Sequence, residues 1–179
     1  MRELQDRFDT RRLADRLDEK LGRTAFTDED RAFIESRAMF FLATADADGQ
    51  PDCSYKGGAP GFVRVTGEGE LAFPHYDGNG MFRSLGNVLA NPRVGLLFLD
   101  FEQPRRLRVN GKAAIVENQS EFEGAQLVVR VTAEAIFPNC PRYLHRLQLV
   151  ETSVYAPRPE VQPPEPAWKR HFKEFLPRS

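Results

Sequence analysis

The segment Arg93 to Asp100, RVGLLFLD, constrains this chain most. A nearly continuous apolar run of that length reads as a β-strand buried on both faces or nearly so, and such a strand needs neighbours on either side. The flanking sequence supplies them. Met39 to Gly58 holds an apolar run, a turn signal at Asp48-Gly49 and a second extended segment, which together make a hairpin. Phe62 to Val65 and Glu70 to Phe73, split by TGEGE, form another pair of short strands, and residues 105 to 118 and 126 to 137 alternate over part of their length. Six or seven strands in hairpin order, with one helix inserted at 80 to 90, imply a closed or partly closed antiparallel barrel in an α+β setting.

The 179 residues suit one domain spanning 1 to 179. Residues 3 to 21 carry Leu4, Phe8, Leu13, Leu17 and Leu21 at mostly four-residue steps, the stripe of an amphipathic helix that must pack on something. A second helix begins at Thr27, where TDED offers a cap hydroxyl with an acid three residues later, and runs to about Arg37, closing a helical arm over residues 1 to 37. Beyond about residue 156 the proline-rich YAPRPEVQPPEPAW reads as an extended strap, followed to residue 179 by a short closing helix anchored by Trp168, Phe172 and Phe175.

Charge narrows the function. With 25 basic against 26 acidic residues the chain lacks the basic excess of a nucleic-acid binder. No apolar run reaches membrane-spanning length, and the N-terminus is too charged for a signal peptide, so the expected location is the cytoplasm. Cys53 and Cys140 fit neither a zinc spacing nor a disulfide framework and read as buried free thiols. No catalytic triad or paired-carboxylate motif stands out, and the catalytic residues stay unknown.

One stretch has the chemistry of an anion site: YDGNGMFRSLGNVLANP, Tyr76 to Pro92. A helical wheel over 81 to 89 puts Met81, Phe82, Leu85, Val88 and Leu89 on one arc and Arg83, Ser84 and Asn87 on the other. Asp77 or Asn79 can cap the helix, the glycines permit close backbone approach, and unpartnered first-turn N–H groups beside Arg83 and Ser84 suit a phosphate. A solvated helix face explains the same residues. Lys56, at the end of a strand and before Gly57-Gly58, and the cluster Arg105, Arg106 and Arg108 add cations that are either surface charges or ligand contacts. His75 is the histidine nearest this region, while Arg142 and Tyr143 read equally as pocket lining or helix-start packing.

In order, FFLATADADGQPDCSYKGG, GMFRSLGNVLANPRVGLLFLDF and RRLRVNGKAAIV resemble the FMN-binding split-barrel family typified by pyridoxamine 5'-phosphate oxidase, over roughly residues 30 to 118. FPNCPRYL at 137 to 144 is similar to an oxidase-related subgroup whose substrates are mostly unassigned. The resemblance implies a split barrel of six or seven strands with flanking helices, FMN as cofactor and a homodimer with flavin at the interface. It places Cys53, Ser54, Tyr55 and Lys56 along the flavin ring, Arg83, Ser84 and Asn87 at the phosphate helix, and Arg106 as a cation beside the flavin. Lys56 or Arg106 near the pyrimidine side would stabilise the reduced, anionic flavin. The sequence departs from the family at Pro51 and Ser84, where the oxidases carry basic residues, and at Arg106, where they carry glutamine. It also lacks their C-terminal Arg-Leu-His substrate signature, so pyridoxamine phosphate oxidation is not carried over. The leading expectation is an FMN oxidoreductase acting on an unidentified small molecule. The alternatives are a binding module for haem, a deazaflavin or non-reacting flavin, and a structural dimer that has lost its cofactor.

Overall fold

In the structure, a computed structural model, residues 1–117, 119–157 and 163–176 are described. The strap segment 158–162 lies outside them. Seven strands, β1 (Met39–Ala45), β2 (Pro51–Gly57), β3 (Arg64–Gly67), β4 (Glu70–Tyr76), β5 (Arg93–Asp100), β6 (Arg105–Val116) and β7 (Ala125–Asn139), form one sheet in the order β2-β1-β5-β6-β7-β4-β3. Every pairing is antiparallel. The hairpin between β1 and β2 turns where the Asp46 carboxylate accepts the N–H groups of Asp48 and Gln50, with Gly49 at φ 84°.

Period-two alternation sends Phe40 and Leu42 of β1, Val94, Leu96 and Phe98 of β5, and Leu107 and Val109 of β6 into one continuous core. Phe40 is its hub, with ring centroids 5.0 Å from Phe73, 5.1 Å from Phe98 and 5.9 Å from Phe62. The other face of β5, at Gly95, Leu97 and Leu99, is only half-buried, so this strand is covered fully on one side and partly on the other. Pro74 sits in β4 beyond the end of β3's pairing, where β4 pairs with β7 alone among the described strands, a position that tolerates proline.

Four α-helices flank the sheet: α1 (Arg2–Arg7), α2 (Arg11–Leu21), α3 (Asp28–Glu35) and α4 (Arg83–Ala90). The single N-terminal helix expected from the leucine spacing is two, broken near Asp9, whose φ is 51°. Neither buries a residue, and Leu13, Leu17 and Leu21 stay exposed. The start of α3 follows the sequence closely: Thr27 and Asp30 form a reciprocal capping box, and Asp30 also accepts from Arg23. The closing helix is a 3-10 segment over Ala167–Phe175, interrupted at Phe172 and without a buried residue. Contrary to expectation both cysteines are exposed; Cys53 lies on the outward side of β2, and Cys140 follows the last strand. No helix among the described residues is long and apolar enough to cross a membrane.

Candidate functional site

Edge strand β2 presents Asp52, Ser54 and Lys56 on one side, in register with Thr44, Leu42 and Phe40 of β1. Helix α4 packs over that side, burying Leu85 and Val88 and with them Ser84, which is 7% exposed. The helix is therefore rotated from the wheel expectation: Met81, Phe82 and Leu89 are exposed, and serine takes a buried position. The reason is polar pairing. Ser84 Oγ lies 3.0 Å from Ser54 Oγ, receives a hydrogen bond from Lys56 Nζ at 3.5 Å, and donates to Asp52 Oδ2 at 3.4 Å.

A cavity of about 430 Å³ opens over this network, lined by Asp52, Ser54, Lys56, His75, Phe82 and Arg83 among others. Burial pushes the Lys56 ammonium below the ordinary lysine pKa, and the Asp52 carboxylate partly offsets this. The His75 imidazole is also shifted down, first by burial and then by the Lys56 charge, against a smaller opposing pull from Asp77. No side chain among the described residues caps α4. Neither expected cap forms, because Asn79 accepts the Met81 N–H and Asp77 pairs with Lys169. The N-cap position belongs to Phe82 at φ 48°, a left-handed conformation unusual for an aromatic residue, and its ring lies 5.2 Å from that of His75.

Ser54, Lys56, Arg83 and Ser84 thus meet around one cavity. The other candidates lie off that cavity or only at its rim. Cys53 and Tyr55 alternate to the outward side of β2, where Tyr55 packs edge-on to Phe41, although Tyr55 also reaches the cavity rim. Asn87 donates to Thr44 Oγ1 at 3.0 Å and so ties α4 to β1. Arg106 is on β6, three strands from β2 in the sheet and about 14 Å along it by strand spacing. Its side faces away from Lys56, because Lys56 aligns through Phe40 and Phe98 with Leu107. Its Nε is nonetheless buried without a hydrogen bond to any described residue, as is Oδ1 of its cross-strand neighbour Asn139. Arg142 and Tyr143 are exposed and line neither principal cavity. Asp52 escaped the sequence reading, although β2 alternation was the signal that groups it with Ser54 and Lys56.

This donor set fits a phosphate-bearing group. A desolvated ammonium, an exposed guanidinium and an uncapped helix start face one cavity of small-molecule size. A phosphate there must share Lys56 with Asp52.

Comparison with known proteins agrees with the fold. The family model described as pyridoxamine 5'-phosphate oxidase matches residues 26–175. A pyridoxine/pyridoxamine 5'-phosphate oxidase of Bordetella petrii is 33% identical over 132 residues, covering 71% of this chain and 58% of that protein. The chain thus spans less than two thirds of that relative's length. Among solved structures, a Lactobacillus delbrueckii protein described provisionally as a pyridoxamine 5'-phosphate oxidase superposes with TM-score 0.52 at 21% identity, covering 65% of this chain and 98% of that one. HupZ of Group A Streptococcus superposes with TM-score 0.50 at 22% identity, covering 63% and 93%. These two likenesses speak for the fold alone. The chain belongs to the pyridoxamine 5'-phosphate oxidase family and carries its split-barrel fold.

Proposed function

We propose that the cavity between β2 and α4 holds FMN by its phosphate and that the protein is a homodimeric oxidoreductase acting on a small molecule. The observation that carries this reading is the half-buried Lys56 ammonium, set against Ser84 and facing the uncapped start of α4 beside Arg83. Lys56 and Arg83 would bind the phosphate, the α4 N–H groups would orient it, and the hydroxyls of Ser54 and Ser84 would complete its hydrogen bonds. Bound FMN supplies the redox chemistry. The chain supplies position, charge and exclusion of water.

Two features support a dimer. The leucine stripe of α2 is uncovered in the single subunit, and Arg106 Nε and Asn139 Oδ1 are buried without hydrogen-bond partners among the described residues, which a second subunit or a ligand at the interface would provide. Under this reading Arg106 meets the flavin from the interface rather than from the Lys56 side. An absorbance spectrum with mass analysis of the co-purifying molecule tests the cofactor: flavin bands are expected, and Arg83→Ala should lower FMN retention. A haem spectrum, a deazaflavin mass, or colourless protein that FMN cannot reconstitute would overturn it.

A further inference from the structure

A second cavity, of about 640 Å³, lies between the 75–82 segment and the closing 3-10 helix. Its walls are strongly aromatic: Trp168, Phe172 and Phe175 from the helix face Phe82 across the gap. Those three residues are 40%, 53% and 76% exposed, so the described chain leaves these aromatic side chains largely uncovered. One ion pair spans the cavity, Lys169 with Asp77, fixing the helix to the loop while cancelling both charges. The histidine at its edge, His75, is held toward its neutral form. Flat apolar walls with charge neutralised favour an uncharged aromatic guest over a phosphate or carboxylate.

The cavity is also placed to matter. His75, Gly78, Asn79 and Phe82 line both it and the cavity over Lys56, so a guest in one abuts a guest in the other. The left-handed backbone at Phe82 is what puts that ring on the shared wall.

We infer that the cavity between the 75–82 loop and the closing helix is a site for an uncharged, planar aromatic small molecule, and that it is the substrate side of the proposed cofactor site. The assignment as substrate side rests on the FMN reading; the binding site itself does not. A cavity of this volume suits a molecule of two or three fused or linked rings.

The test uses N-phenyl-1-naphthylamine, an uncharged aromatic probe, with the whole chain freed of co-purifying ligand and again after FMN reconstitution. Binding is measured by equilibrium dialysis and by quenching of the single tryptophan, Trp168, which stands in the cavity wall. Saturable binding with quenching is expected in both preparations. Phe172→Ala and Phe175→Ala should each weaken binding about tenfold, while Leu89→Ala, on the exposed face of α4, should not. The helix buries no residue, so these truncations should leave folding intact, checked by circular dichroism. The anionic analogue 8-anilinonaphthalene-1-sulfonate should bind at least about tenfold more weakly. Equal binding of the two probes overturns the uncharged class, and Phe172 and Phe175 variants that bind like the parent overturn the site. Probe binding to a protein that never takes up FMN overturns the substrate assignment and the cofactor reading together, leaving the aromatic site standing.

Discussion

The Ser84 hydroxyl lies 3.0 Å from the Ser54 hydroxyl and joins the inserted helix α4 to the edge strand β2. Because Lys56 and Asp52 reach the same oxygen, this contact fixes both the helix orientation and the charge balance of the proposed phosphate site. Replacing Ser84 by Ala leaves Ser54 and Asp52 without that partner in a nearly dry position. A loss of about 1–2 kcal/mol in unfolding free energy is expected, together with reduced FMN retention. A denaturation midpoint equal to that of the parent would show that the network does not orient the helix.

On the proposed reading, Asp52 competes with a bound anion for Lys56. Asp52→Asn should therefore tighten binding of inorganic phosphate to the FMN-free protein by several-fold, read by isothermal calorimetry. Weaker binding would mean that Asp52 holds Lys56 in place rather than neutralising it.

Lys56 titrates below the ordinary lysine value because burial disfavours its charge. Phosphate binds the ammonium form, so on the alkaline side, where the phosphate is fully dianionic, affinity should fall as pH rises through the lowered lysine pKa. In Lys56→Arg the guanidinium stays charged and this alkaline loss should disappear. Identical alkaline profiles for parent and variant would assign the loss to another group.

His75 has the acid-side counterpart. Its folded pKa lies below the unfolded value, so the unfolded chain takes up a proton that the native imidazole refuses. The stability attached to neutral His75 is present above the unfolded value of about 6.5 and is lost as pH falls from there through the lowered native pKa. Urea midpoints of His75→Asn should fall less steeply than those of the parent between about pH 7 and 5.

Gly111 sits at the register shift between β6 and β7, where a Cβ would lie 2.1 Å from the Thr132 carbonyl oxygen. Backbone cannot give way as a side chain can. Gly111→Ala should cost about 1–3 kcal/mol, measured as a lowered urea midpoint, and unchanged stability would require the bulge to relax at no cost.

Much of this architecture is local in origin and was legible in the order of residues. Alternation and turn chemistry set the hairpin of β1 and β2 and the course of β5 to β7, while Thr27 with Asp30 set the start of α3. The order of motifs set the family. The resemblance put Cys53, Ser54, Tyr55 and Lys56 together, and only the strand's burial pattern separated Ser54 and Lys56 from Cys53 and Tyr55. The break at Asp9 was not legible, because an apolar stripe at four-residue steps runs straight through it.

What only the tertiary structure decided is which faces meet. A helical wheel ranks α4 by hydrophobicity and so turned Ser84 outward, but helix orientation is a property of the docked pair: Leu85 and Val88 enter the core only if Ser84 comes with them, and Ser54, Asp52 and Lys56 satisfy it there. Arg106 fell on the opposite side from Lys56 because pairing register across four strands fixes side-chain direction, and no spacing within one strand carries that information. The aromatic cavity is more remote still. Asp77 and Lys169 are 92 residues apart, and only the folded chain brings the closing helix to the loop before α4.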